Sequence, residues 1–366
     1  MLLALSRSAR SSVVFFAFFL GGDCIDTELH AVGQVAEKVS SAVEEKLLQA
    51  SALQAYGLAR TDEERISALA VLEPLAEKGD LNAILVVAGH YSLYPTSEAD
   101  LRKSFELYLR GAESEDPTCL LLVGVKYGAG EGVEEDREKA FAFLDRAIEA
   151  GSAEAYKAKA HLLLKPETFE EAKALLWRAC ELGVVDAHAY LGDIFYYGEF
   201  CEADPVLALA HFEKAMEGGD AYSAVMVGDC YLQGLGGGKD SSKAYSAFIR
   251  AKELGDARAW NRLGRMYLFG EGVSFDIELS VAHFRKGIEV GDRESMIWLG
   301  VAYSVPGADF EDTEECFLWT YVAGEMGVET ARSHNQDLAA YLSSKAREEL
   351  KAKAAPIIAQ LKEGAP

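Results

Sequence analysis

One junction recurs along this chain at a nearly constant interval, and it constrains the fold more than any other feature. A helical ending gives way to Gly and then usually to Asp. The anchor positions are Gly79, Glu115, Gly151, Gly183, Gly219, Gly255, Gly291 and Gly327, at successive intervals of 36, 36, 32, 36, 36, 36 and 36 residues. A period of this size is the mark of an array in which each unit packs against its neighbours. It makes one elongated domain a better expectation for 366 residues than the two or three globular domains that length alone suggests.

Other positions keep the same phase. Nine residues after the anchors lie small residues: Ala88, Gly124, Ala160, Gly192, Gly228, Gly264 and Gly300. Three further on lie Tyr91, Tyr127, Leu163, Phe195, Tyr231, Tyr267 and Tyr303. An offset of three puts both sets on one helical face, where the small residue admits a second helix and the aromatic one turn away fills the space beside it. Fifteen residues before the anchors stand Asp100, Asp136, Thr168, Asp204, Asp240, Asp276 and Asp312. These side chains accept hydrogen bonds from the free N–H groups of a first turn. The anchor Gly then ends that second helix, where a left-handed conformation is cheap. Each unit therefore reads helix, loop, helix, tight turn. The inner loop is glycine-rich in most units, as in Gly128–Val133 and Gly270–Val273. The 32-residue unit, Ser152–Gly183, carries Lys165-Pro166-Glu167 there instead, and the four missing residues account for its length.

A small residue followed by x-x-Tyr, then G-x-G-V-x-x-D-x-x-K-A, then K-A-x-x-x-G-D, resembles the Sel-one-like repeat (SLR) family, a relative of tetratricopeptide repeats. The best matches are Leu263-Gly264, Tyr267, Gly270-Glu271-Gly272-Val273 and Asp276, and Gly124, Tyr127, Gly130-Glu131-Gly132-Val133, Asp136 and Lys139-Ala140. The resemblance covers roughly residues 45–327. It implies an all-α fold, a right-handed α-solenoid of helix-turn-helix repeats, about eight of them over residues 47–327. Residues 25–46 and 328–366 then read as helical caps that cover the apolar ends of the array.

Residues 1–24 read as an export signal. Arg7 and Arg10 precede an apolar run, Val13–Leu20, which is too short to span a bilayer as a helix. Cleavage after Cys24, a lipid anchor on Cys24 and an uncleaved segment all stay open. A true signal places the mature chain in the periplasm, at the envelope or outside the cell; otherwise the chain is cytoplasmic.

Lys plus Arg number 36 against 59 Asp plus Glu, a net charge of −23, which disfavours nucleic acid and anionic membrane surfaces as partners. HExxH, GxSxG and SxxK do not occur. Gly234–Asp240 lacks the Gly and Ser/Thr of a phosphate loop and reads as an interhelix loop with Asp240 as a cap. The six cysteines include no CxxC pair. Cys119, Cys180 and Cys316 read as small packing residues, and a bridge between Cys201 and Cys230 stays open. The seven histidines show no ligand cluster, and His211 and His283, at one repeat position, read as partly exposed helix residues. No catalytic residue, metal or cofactor is expected. A cysteine-rich subgroup of the family, with regular Cys pairs in each repeat, has been linked to β-lactam binding or hydrolysis. This sequence departs from that pattern.

By analogy with tetratricopeptide repeats, positions +3, +6, +7, +10 and +13 from an anchor line a concave face. After Gly255 these are Arg258, Asn261, Arg262, Arg265 and Leu268. Three arginines on one face of one helix suit carboxylates, since each guanidinium offers a planar fork of donors. Asp193 and Asp229 stand at +10 in the two preceding units, so a ladder of salt bridges between repeats is the competing explanation. Tyr196 and Tyr222 join them as candidate anchors, with Tyr190, Tyr197, Phe269 and Trp298 nearby. In the early units the same positions are apolar (Leu85, Val86, Leu121, Leu122, Val125), which suits either a covering N-terminal helix or a peptide groove. The expectation is an exported, non-enzymatic scaffold, monomeric or part of a larger complex, that binds a protein or peptide, with an acidic segment as the best fit. The alternatives are a β-lactam or cell-wall-related hydrolase and a structural envelope spacer.

Overall fold

The computed structural model describes residue 46, residues 48–305 and residues 312–363. The expected signal (1–24) and all but the last residue of the expected N-terminal cap (25–46) lie outside them. Among the described residues every regular element is helical. The chain divides into two compact units, one ending at Leu162 and the other beginning at Leu163. The first holds α1 (48–58), α2 (Asp62–Glu77), α3 (Leu81–Leu93), α4 (Glu98–Ala112), α5 (Pro117–Ala129), α6 (Arg137–Glu149) and all but the last residue of α7 (Glu154–Leu163). The second holds α8 (Phe169–Glu181), α9 (Val185–Tyr197), α10 (Pro205–Glu217), α11 (Ala221–Gln233), α12 (Ser241–Glu253) and α13 (Arg258–Phe269). It continues with α14 (Ile277–Glu289), α15 (Glu294–Tyr303), α16 (Thr313–Glu325), α17 (Glu329–Leu338) and α18 (Ser344–Glu363). Within each unit most consecutive helices pack as antiparallel hairpins. The division falls inside the 32-residue repeat, beside the 3-10 turn Pro166–Thr168 that replaces its glycine loop.

The hairpins start and stop where local chemistry says they should. Asp136, Asp204, Asp240, Asp276 and Asp312 each cap a second helix, accepting from backbone N–H groups two or three residues on. Such a cap contributes about 1 kcal/mol. The Asp after the anchor does the same for first helices, as with Asp80, Asp116 and Asp220. At the anchors the backbone is left-handed, with φ between +86° and +99° at seven glycines. Glu115, the one non-glycine anchor, takes φ +57° and is the one non-glycine residue of positive φ among the described residues.

Three expectations need correction. Asp100 is not the cap of α4. Ser97 caps it, and the Asp100 carboxylate reaches back to the Ser97 N–H at 3.1 Å, so that helix begins three residues earlier in a capping box. Thr168 precedes α8 but caps nothing, because its hydroxyl donates to the Leu163 carbonyl across the shortened loop. The space beside the small residue is filled not by the tyrosine three positions on but by the second helix. A Cβ built on Gly192, Gly228 or Gly264 would lie 2.3–2.6 Å from the ring of Phe212, Phe248 or Phe284. In the first unit Leu144 takes that place against Gly124. The tyrosines instead tie repeats together through their hydroxyls: Tyr231 donates to Glu213 at 2.6 Å and Tyr303 accepts from Arg285 at 2.8 Å, each on the preceding second helix.

The buried interior follows this scheme. Leu72, Ile84, Leu120 and Leu144 centre the first unit. In the second, Phe248 packs with Leu263 and Met266, and Phe284 with Leu299 and Tyr303. Helix α18 lies against α16 and buries Ala354 and Leu361 on Val322. Helix α18 is the longest helix given for the described residues at 20 residues, and none of them is long and apolar enough to cross a membrane.

Candidate functional site

In the second unit the first helices α9, α11, α13 and α15 bring charged and aromatic residues into one continuous ladder. Asp193, at +10 on α9, accepts a 2.6 Å hydrogen bond from the Tyr222 hydroxyl, at +3 on α11. Burial raises the Asp193 carboxyl pKa, the Tyr222 hydrogen bond partly offsets this, and Asp220 and Glu199 add to the rise. The Arg258 guanidinium sits 5.0 Å from the Tyr222 ring centroid and grips Asp256 with two bonds of 3.0 and 2.5 Å. Arg262, at +7 on α13, is bidentate to Asp229, at +10 on α11, at 2.9 and 3.2 Å. Its remaining nitrogen reaches Glu294 on α15 at 3.4 Å. Both members of the Arg262–Asp229 pair are largely buried, which makes it stronger than a surface pair.

Arg265 differs from its two neighbours. Its guanidinium lies 4.4 Å from the Trp298 ring centroid, a cation–π contact. Among the described residues it has no ion pair and no hydrogen bond. Burial and the Arg262 charge lower its pKa from the ordinary guanidinium value, the reverse of the effect on Arg258 and Arg262. Trp298 is held edge-on by Phe269, with ring centroids 6.0 Å apart.

The face is thus built from positions +3, +7 and +10. Asn261 and Leu268, expected there at +6 and +13, are buried. Asn261 is fully enclosed, with its Oδ1 accepting from Arg262 at 3.3 Å and its Nδ2 without a partner, so it is a packing residue and not a contact surface. Tyr196, also at +13, rests on Tyr197 and Phe212 and hydrogen-bonds Gln233 on α11. In the first unit Leu85, Val86, Leu121 and Leu122 are half-buried on its core, and Val125 is exposed.

One cluster escaped the sequence reading. His211 is buried, not partly exposed, and its Nδ1 lies 3.0 Å from Nδ1 of His188. Cys180 offers its sulfur to the same place, and one donor atom from each of the three lies within 4.8 Å of the others. The signal was present: Cys180 and His188 stand three before and five after the anchor Gly183, on the two sides of one tight turn. What was missing was the tilt that brings the second helix of the next repeat over that turn. Cys201 and Cys230, between which a bridge was open, are both free thiols.

The profile of the Sel1 repeat matches residues 88–116, 117–152, 185–220, 221–256 and 257–292. This chain is a Sel1-repeat protein. The profile passes over the 32-residue repeat, where Lys165-Pro166-Glu167 stands in the inner loop. The Sel1-repeat chain is similar to the uncharacterized protein NMB1327 of Neisseria meningitidis serogroup B, 33% identical over 116 residues, 32% of this chain and 25% of that one. It therefore spans about a quarter of that relative. Among solved structures it is similar to c5321, a protective antigen of uropathogenic Escherichia coli strains with an SLR fold. That match has a TM-score of 0.61 at 21% identity and covers 87% of this chain and 71% of that one. A Sel1 repeat protein from Oxalobacter formigenes matches with a TM-score of 0.57 at 22% identity, covering 89% and 94%. These likenesses establish the Sel1-type helical repeat fold.

Proposed function

We propose that this Sel1-repeat protein is an exported, non-enzymatic scaffold that binds an acidic segment of a partner protein on the first-helix face of α9, α11, α13 and α15. The observation that carries the reading is Arg265. In a chain of net charge −23, it holds a guanidinium on the face of Trp298 with no carboxylate in ion-pair contact, although the charges of Asp229, Glu294 and Glu271 act on it from farther off. A guanidinium stacked on an aromatic keeps its fork of donors in a fixed plane, which suits a carboxylate arriving from outside. The Arg262–Asp229 and Arg258–Asp256 pairs brace the helices on which it stands. Helical repeats of this kind commonly mediate protein interactions, and the export part of the reading rests on residues 1–24.

A second reading, the structural spacer, draws on the same ladder. Arg258 and Arg262 spend their donors inside the array. A displayed random-peptide library separates the two. The scaffold reading expects wild type to enrich sequences rich in Asp and Glu. It expects Arg265→Ala to weaken the selected peptides about tenfold or more, the loss of one charge-assisted contact. Arg332→Ala, at an exposed i, i+3 pair, should leave them unchanged. Enrichment that ignores Arg265→Ala and Trp298→Ala would leave the spacer.

A further inference from the structure

We propose that Cys180, His188 and His211 form a binding site for a zinc-class divalent cation, with three protein ligands and one coordination position open.

The three side chains come from three successive helices of one compact unit: Cys180 from the last turn of α8, His188 from the start of α9 and His211 from the middle of α10. Their donor atoms already lie within 4.8 Å of one another. Zinc held by nitrogen at about 2.0–2.1 Å and sulfur at about 2.3 Å in tetrahedral geometry sets its donors about 3.3–3.6 Å apart. The two Nδ1 atoms, 3.0 Å apart, need only open slightly, and the sulfur needs only to swing inward. Without an ion one Nδ1–H donates to the other Nδ1; on binding, that proton moves to Nε2 of the same ring, which leaves an Nδ1 lone pair on each imidazole for the cation. One thiolate and two imidazoles select zinc and its neighbours over magnesium or calcium, which take oxygen donors.

The surroundings suit a ligand set. Cys180 and His211 are buried at 9% and 4% exposure, while His188 is half-exposed and opens the site to solvent. The Trp177 ring meets His211 edge-on at 4.7 Å and Phe195 stacks on it at 5.9 Å, so apolar rings fix the imidazole and exclude water from its far side. Burial and the His188 neighbour bring His211 down to about 4. Burial and Lys214 also lower His188, with Glu217 opposing. Both imidazoles are then neutral near pH 7 and have a lone pair to give. Burial pushes the Cys180 thiol up to about 11, so the entering cation displaces its proton. The Cys180 S–H bond breaks, a sulfur–metal bond forms, and one proton leaves to solvent for each ion bound.

Packing alone does not ask for these residues. Two repeats on, the same three positions hold Lys252, Trp260 and His283, with the Lys252 ammonium 5.3 Å from the Trp260 ring and that ring 5.6 Å from His283. The scaffold tolerates a cation–π stack there, and only the repeat at Gly183 carries a thiol and two imidazoles.

The test uses the full chain, stripped with a chelator under reducing conditions and dialysed against zinc. Elemental analysis should find one zinc per chain. Cobalt in its place should show the intense visible bands of a tetrahedral ion and a thiolate-to-cobalt charge-transfer band. His188→Ala, at a half-exposed position that leaves the core intact, and Cys180→Ser should each weaken binding at least about 100-fold. Cys230→Ser should leave it unchanged. Circular dichroism checks that each variant stays helical. Wild type that retains no stoichiometric zinc, zinc that survives His188→Ala in folded protein, or cobalt spectra without the thiolate band would each overturn the site and leave a histidine–histidine hydrogen bond in its place.

Discussion

The two units share one packing scheme and use it to carry different faces. In the first, positions +6, +7 and +10 of α3 and α5 hold Leu85, Val86, Leu121, Leu122 and Val125, and the polar tie between those helices is a single knot. There the buried Lys126 ammonium bonds Glu131 at 2.5 Å and Ser92 at 2.7 Å. In the second, the ties are spread along successive first helices as Asp193–Tyr222, Asp229–Arg262 and Arg265–Trp298. Beneath both, the +9 residue of the first helix receives the +29 side chain of the second, Leu144 on Gly124 as much as Phe284 on Gly264. The repeat's interior is thus set by close approach and is largely indifferent to what its first helix shows to solvent. That separation is what lets one array present several surfaces.

The sharpest test of the shared scheme is Gly264→Leu. Its Cβ alone would lie 2.6 Å from the Phe284 ring, so overpacking should destabilise the protein by about 1–3 kcal/mol, read from the urea midpoint. Gly124→Leu meets the flexible Leu144 side chain at 2.8 Å and the Ala140 carbonyl only at 3.2 Å, and should lose less; equal losses would mean that close approach of the backbones, not the ring, is the obstacle. Next in size is the difference between the faces. Arg262→Met strands the Asp229 carboxylate and should cost about 1–2 kcal/mol in thermal unfolding, the desolvation penalty of a group left without its partner. An unchanged Tm would reduce the second unit's ladder to surface decoration. The smallest effect reverses sign. Glu115→Gly removes the one left-handed non-glycine anchor, at φ +57°, and should stabilise the protein by about 0.5–1 kcal/mol. A loss instead would show that the exposed Arg146–Glu115 pair outweighs backbone strain.

What could be read from the residues is what the backbone decides locally. The left-handed anchors, the aspartate caps and the small residue at +9 depend on a few adjacent positions, and a 36-residue register makes them visible. Contacts between helices depend on tilt, which no local pattern carries. Tyr267 looked like the filler beside Gly264 because it shares that helix, whereas Phe284 comes from the next one. Asn261 looked like a face residue because +6 lies one turn from both +3 and +10, yet it points between α13 and its neighbours and is enclosed. Of the arginine stripe, the residues alone showed the alignment but not the division of labour. Arg262 is committed across two repeats, and Arg265 is left to an aromatic. The cluster of Cys180, His188 and His211 needed three helices to be seen at all.

Two rungs of the second unit's ladder share one register, the +10 residue of one repeat meeting the +7 residue of the next, as Asp229 meets Arg262 and Arg265 meets Trp298, whereas Asp193 meets Tyr222 at +3. Arrays of this kind lengthen by tandem duplication, and the shared register decides which duplications the chain can absorb. A second copy of the repeat at Gly255 would set Arg265 of the first copy against Arg262 of the second, two guanidiniums where an aromatic now stands. A copied pair of repeats, from Gly219 to Gly291, would instead bring Arg265 against Met226 and preserve each Asp229–Arg262 rung. Heredity in this half of the molecule is therefore carried by rungs rather than by repeats, and growth in pairs is the route its own charges leave open.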